Sequence, residues 1–280
     1  MFHPLILLLL AQTPPVAPPA PPPPAPAVTA NLPGAPCPAP PPPPPPVVSP
    51  WTASVGVGLI WLSGNTRSVT FTGNASATRT GKDWIFGIKA GGTYGQSRPE
   101  DAAAAQVLAL MGSLQLRGDR RFNERVSAYL LGGIEADHVK SVEYRGLGEG
   151  GAGYIWVDRK PNGFELFFRT DLGVRYAHES RFQYYPVPLN VPDVEFVAPR
   201  LGVELRVGRA EGVHFLQTAE ALTNITGESR TVFNSLSKLS VHLVDKLSIG
   251  VSFTVGFDSA PATGKVPTDT ALALQLDYAL

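Results

Sequence analysis

Cysteine is almost absent from this 280-residue chain: Cys37 stands alone, so no intramolecular disulfide braces the fold. Charge is scarce as well. Only 16% of residues are charged, and 23 basic side chains are matched by 23 acidic ones, which leaves no field to draw nucleic acid or a strongly charged partner. The five histidines, His3, His138, His178, His214 and His242, are scattered. No H-x-x-x-H spacing offers a metal site, no G-x-S-x-G turn offers a nucleophile, and nothing points to a cofactor. No apolar run reaches the roughly 20 residues that a membrane-crossing helix needs.

Proline is abundant but confined, with most of the 29 prolines before residue 51. Residues 1–11, "MFHPLILLLLA", resemble a secretory signal peptide, although the n-region lacks Lys or Arg and Leu9 sits three residues before the expected cut. Residues 12–50 form a spacer whose run "TPPVAPPAPPPPAPAVTANLPGAPCPAPPPPPPPVVSP" cannot bury a core and favours polyproline II. At about 3.1 Å per residue such a tract reaches on the order of 100 Å. That reach suits a tether onto the cell wall or a periplasmic partner; a plain solubilising linker is the simpler alternative. Cys37 follows Pro36, far from the apolar run, which disfavours lipidation and leaves an idle thiol or an intermolecular disulfide.

From Trp51 to the end the pattern changes to strict alternation, the mark of strands with two unlike faces. In "KLSIGVSFTVGFDS" the residues Leu247, Ile249, Val251, Phe253, Val255 and Phe257 share one face, and Ser248, Gly250, Ser252, Thr254, Gly256 and Asp258 the other. The alternation predicts twelve strands: 51–62, 67–79, 83–97, 106–120, 124–137, 142–158, 163–178, 194–208, 212–222, 231–243, 246–258 and 268–280. Most exceed the 5–6 residues of ordinary sheets and meet the 9–11 that a tilted membrane strand requires. Tight, charged turns at 80–83, 121–124, 159–162, 209–211 and 244–246 alternate with mostly longer loops at 98–105, 178–193, 223–230 and 259–268. Short turns at one end and long loops at the other describe an all-β, antiparallel up-and-down transmembrane barrel over 51–280. Trp51, Trp61, Trp84, Tyr94, Trp156, Phe168 and Tyr176 are candidates for the aromatic girdles at the lipid headgroups.

With apolar faces toward lipid, the polar faces line the interior. The first three and last two strands offer Ser, Thr, Gly and Asn there. The middle strands offer Arg117, Asp119, Glu135, Asp137, Glu165, Arg169, Asp171, Arg175, Arg200, Glu204, Arg206, Glu220 and Lys238. Enclosed charges of mixed sign each need a partner or water. A twelve-strand wall has a backbone radius of roughly 12 Å, so these rows either plug the lumen or line a narrow polar channel.

Several stretches carry a resemblance to a known family. They are "WTASVGVGLIWLSGNTRSVTFTGNASATRTGKDW", "GTYGQS", "LQLRGDRRFNERVSAYLLGGIEAD", "YRGLGEGGAGYIWVD" and "VGFDSAPATGKVPTDTALALQLDY". Together they resemble the salt-induced outer membrane proteins, the YdiY-like proteins of unknown function, over nearly all of 51–280. The resemblance implies a β-barrel in the outer membrane of a Gram-negative-type bacterium, surrounded by its lipid and inserted by the barrel-insertion machinery. Leu276, Tyr278 and Leu280 stand where such barrels carry their insertion signal, with Leu280 in place of the usual terminal Phe or Trp.

Three roles fit. The first is a narrow passage for small polar solutes, or an osmotic-stress envelope protein. The second is an envelope tether in which the proline tract works and a plugged barrel anchors it. The third, a rim hydrolase, would use His138 beside Asp137 or His178 beside Glu179; solvation of the rim explains these histidines more simply, and the chain is read as no enzyme.

Overall fold

A computed structural model describes residues 50–62, 66–99, 106–184, 187–209, 212–227, 229–262 and 265–280. The signal segment 1–11 and the spacer 12–50, Cys37 included, lie outside the described residues apart from Pro50. The strands are β1 (Trp51–Leu62), β2 (Thr66–Thr80), β3 (Trp84–Pro99), β4 (Gln106–Arg121), β5 (Val126–Asp137), β6 (Val142–Arg159) and β7 (Phe164–Gln183). They continue with β8 (Leu189–Asn190), β9 (Val194–Arg209), β10 (Val213–Thr223), β11 (Thr231–Val244), β12 (Leu247–Asp258) and β13 (Thr268–Ala279).

Apart from the two-residue β8, each strand pairs antiparallel with its neighbours in sequence, and β1 pairs with β13 through Ser54 opposite Ala279 and Gly58 opposite Gln275. Twelve strands therefore close into an up-and-down barrel with no free edge, and the backbone groups of the wall are satisfied within it. The turns follow from local chemistry. At the β4–β5 turn the Asn123 carboxamide oxygen accepts from the N–H groups of Arg125 and Val126, both at 2.8 Å. At the β6–β7 turn Asn162 and Gly163 have φ of 49° and 76°, the left-handed pair that a tight hairpin requires.

The two faces differ as the alternation demands. Val55, Val57 and Leu59 of β1, Leu130 and Ile134 of β5, Leu172 and Val174 of β7, and Leu272, Leu274 and Leu276 of β13 all lie on the outside and are exposed, Leu130 to 74%. A soluble barrel would hide this set. At the short-turn end, Trp51 and Trp84 open their strands, and guanidiniums lie over their rings: Arg79 at 5.9 Å from Trp51 and Arg120 at 5.7 Å from Trp84. With exposed Trp156 near the same end of β6, they form the ring of amphipathic side chains expected at a headgroup boundary. The Trp61 side chain lies outside the described side chains. A closed wall, apolar outside and polar within, is the architecture of an outer-membrane β-barrel.

Two details depart from the sequence expectation. Strand β7 runs through His178 to Gln183, residues expected in a loop, because Arg181 and Phe182 continue the ladder against Val142 and Asn190. What remains of that loop contains β8, a short addition that pairs with β7 and takes no part in the wall. The long-loop end also has a second short connection, 138–141, where Ser141 takes φ of 63°.

Candidate functional site

The inner wall carries the chemistry. On each strand the residues alternate with the outward apolar set, and hydrogen bonds between strands that are not neighbours fix which side chains meet across the interior. Arg117 of β4 donates to Asp171 of β7 at 2.7 Å, although β5 and β6 stand between them along the wall. Arg117 also holds Asp119 at 2.8 Å, while Arg169 bonds Asp119 at 2.6 Å and Asp171 at 2.8 Å. Two arginines and two aspartates thus close a square of alternating charge.

A second neutral group sits beside it. Arg175 lies 2.7 Å from Glu149 and 3.0 Å from Glu220, and Arg200 lies 3.1 Å and 2.7 Å from the same two carboxylates. The Tyr129 hydroxyl donates to Glu149 at 2.5 Å, and its ring lies 4.0 Å from the Arg117 guanidinium, joining the two groups. Asn234 adds a donor to Glu220 at 3.0 Å. Glu149 has no exposed side-chain surface, a condition that a carboxylate tolerates only when paired and fully hydrogen-bonded.

A third group lies toward the long-loop end. Glu179, completely buried, accepts from Arg145 at 2.6 Å, Arg181 at 2.8 Å and Arg230 at 2.9 Å. Arg145 also pairs with Glu135, and Arg230 with Asp258 at 2.5 Å, so three acids again balance three arginines. Burial alone lowers the pKa of Arg230, but its bonds to Asp258 and the charge of Glu179 outweigh that and hold it above the ordinary arginine value. Beside this group the interior is apolar: Ala177, Phe196, Ala198 and Leu222 pack together with Leu147, Val194 and Val232. Nothing in the alternation announced this patch.

The remaining inward charges pair in smaller sets. Arg206 lies 3.3 Å from Glu165 and 3.2 Å from Glu204, with Lys160 3.6 Å from Glu165. Lys238 reaches Asp277 at 2.7 Å. At the long-loop mouth Lys140 lies 3.8 Å from Asp137 and 3.1 Å from Asp269, a residue separated from β5 by four strands of the wall.

The structure therefore places each of the thirteen predicted interior residues, Arg117, Asp119, Glu135, Asp137, Glu165, Arg169, Asp171, Arg175, Arg200, Glu204, Arg206, Glu220 and Lys238, in an ion pair. Their partners Arg145, Glu149 and Asp277, and the further group of Glu179, Arg181, Arg230 and Asp258 that Arg145 joins, were not among them. Leu276, Tyr278 and Leu280, in contrast, project outward, exposed at 41%, 44% and 65%. The histidines named for a hydrolase are engaged otherwise: His138 stacks on Tyr184 at 4.2 Å, and His178 bonds Glu195 at 3.1 Å rather than its neighbour Glu179.

Across from the main ion-pair groups, β1–β3, β12 and β13 present a sparsely charged wall, its inward charges being Lys89 and the acids Asp258, Asp269 and Asp277. Glycines let its side chains lie flat: a Cβ on Gly56 would stand 2.5 Å from the Asp277 carboxylate and 2.8 Å from the Asn74 carboxamide. Ser54 and Ser76 share a hydrogen bond at 2.9 Å. Asn74, Lys89, Asn234 and Thr254 face inward and are nevertheless exposed, so water has room beside them.

No curated protein matches the sequence. Solved structures of similar shape include the COG4313 outer membrane channel from Pseudomonas putida F1, at 9% identity, 84% of this chain, 97% of that one and a TM-score of 0.48. The NanC porin is 6% identical over 81% of this chain and 98% of that one, with a TM-score of 0.44. The translocator domain of the autotransporter NalP from Neisseria meningitidis is 12% identical over 82% and 86%, with a TM-score of 0.39. Likeness this distant leaves the architecture to rest on the strand pairing itself. A family model does match, over residues 55–280, and the chain belongs to that family, described as protein of unknown function DUF481.

Proposed function

We propose that the barrel is a narrow outer-membrane passage for small polar solutes. The supporting observation is the unequal interior: the charged half is consumed in ion pairs, whereas Asn74, Lys89, Asn234 and Thr254 on and beside the sparsely charged half remain exposed inside a closed wall. In a lumen of roughly 12 Å backbone radius, locked pairs narrow one side and leave a hydrated path along the other. Flat-lying Thr, Asn and Ser side chains supply replacement hydrogen bonds to a solute that sheds part of its water. Toward the long-loop end, the Glu179 group and the apolar patch beside it fill the charged side of the interior with buried side chains.

The test is single-channel conductance of the refolded full chain in planar bilayers. Discrete steps are expected. Silence from protein shown to be folded by its heat-dependent gel mobility would overturn the passage and mean that the charges plug the barrel.

A further inference from the structure

Away from the strand ends, the inward charges cancel within their own groups. Arg117 and Arg169 balance Asp119 and Asp171; Arg175 and Arg200 balance Glu149 and Glu220; Arg145, Arg181 and Arg230 balance Glu135, Glu179 and Asp258; Arg206, with Lys160 of the β6–β7 turn, balances Glu165 and Glu204; and Lys238 balances Asp277. Lys89 of β3 is different. It faces inward between Gly87 and Gly91, opposite Ser76 on β2 and Gln115 on β4, and it has no ion pair among the described residues. It is also exposed, which on the inside of a closed wall means that its ammonium meets the aqueous path.

From this we infer that Lys89 makes the passage selective for small anions, an inference that rests on the channel reading above. An ion pair at contact distance presents a dipole whose field decays quickly, whereas a single uncompensated charge in a low-dielectric cylinder raises the local concentration of the opposite ion. The neighbouring groups suit an anion: Ser76 and Gln115, directly opposite Lys89, and Asn74, opposite Gly91, carry N–H or O–H donors on the same inward face. Among the described residues, the inward acids without a cation of their own lie toward the rims. Asp158 is one residue from the end of β6, and Lys140 is shared between Asp137 and Asp269 at the long-loop mouth. Both rims are open to bulk salt, which screens charge within about 8 Å at physiological strength.

The experiment is the reversal potential of the full chain in planar bilayers under a tenfold potassium chloride gradient. The native protein is expected to favour chloride, Lys89→Gln to bring the permeability ratio to about one, and Lys89→Glu to reverse it. Lys82→Gln, which removes the same charge from the exposed β2–β3 turn, is expected to leave the ratio as it was. A Lys89→Cys chain in a Cys37→Ser background tests the same channel without refolding it: a cationic thiol reagent restores anion preference and an anionic one reverses it. Steps of native size whose selectivity ignores every change at position 89 would overturn this inference and leave the passage standing. Absence of steps from folded native protein would overturn the passage and the inference together.

Discussion

Arg230 and Glu179 lie 2.9 Å apart although β9 and β10 separate their strands along the wall. Glu179 is the shared acceptor of three guanidiniums and has no exposed surface. Removing its charge with Glu179→Gln leaves Arg145, Arg181 and Arg230 crowded around a neutral amide, with Glu135 and Asp258 serving two of them. Breaking a buried group of this kind costs about 3–5 kcal/mol. Urea unfolding of the refolded barrel in detergent, followed by tryptophan fluorescence, should show the loss. Glu195→Gln, at an exposed pair with His178, serves as the comparison and should stay within about 0.5 kcal/mol of native.

The link between Arg117 and Asp171 crosses the interior instead of following the sheet, so it reports whether the two sides of the charged half meet. Arg117→Ala and Asp171→Ala each strand partners that the other holds, since Asp119 and Arg169 complete the square. A double-mutant cycle should therefore give a coupling of about 1–3 kcal/mol. Additive losses would place the two side chains apart.

Much of this barrel was legible before any coordinates, and the reason is physical. A wall that divides lipid from water must alternate, so residues 247–258 reveal their faces by inspection, and the charged turns mark the strand ends. The interior partners were harder to read. Glu149 stands among glycines in "YRGLGEGGAGY", and the apolar residue at its parity, Leu147, reads as lipid-facing although it packs against the interior cluster. Glu179 and Arg181 precede a run of tyrosine and proline that reads as loop, yet the β6–β7 ladder extends past both. Arg230 lies just outside β11, where alternation carries no instruction. Pairing itself was beyond the sequence, because charge partners two or three strands apart depend on how the cylinder closes.

Outward apolar residues make the membrane assignment testable by a single substitution. Leu274 sits in the middle of β13 and is 54% exposed. For a barrel in water, Leu274→Arg would be harmless or favourable. At mid-depth in a bilayer an arginine on the lipid face costs about 2–4 kcal/mol. Refolding into phosphatidylcholine vesicles should lose that amount, and the penalty should shrink for Leu280→Arg, beyond the end of the strand.

The glycine-rich strand makes a prediction about packing. Gly151 of β6 and Gly173 of β7 face each other across the ladder, and the Tyr129 hydroxyl occupies the space between them on its way to Glu149. A Cβ on Gly173 would stand 2.5 Å from that hydroxyl and 2.9 Å from the Gly150 carbonyl oxygen. Tyr129 is only 3% exposed, held between Glu149 and the Arg117 guanidinium, so it has little room to withdraw. Gly173→Ala should therefore destabilise the barrel by about 1–3 kcal/mol, the usual cost of overfilling a packed site. Tyr129→Phe in the same chain removes the nearer obstacle and one donor to Glu149, which keeps Arg175 and Arg200. The double variant should consequently lose less than the two single losses added together, with the Gly150 carbonyl accounting for the part not recovered. Strict additivity in urea unfolding would show that the backbone contact, and not the phenol, is what requires glycine at this position.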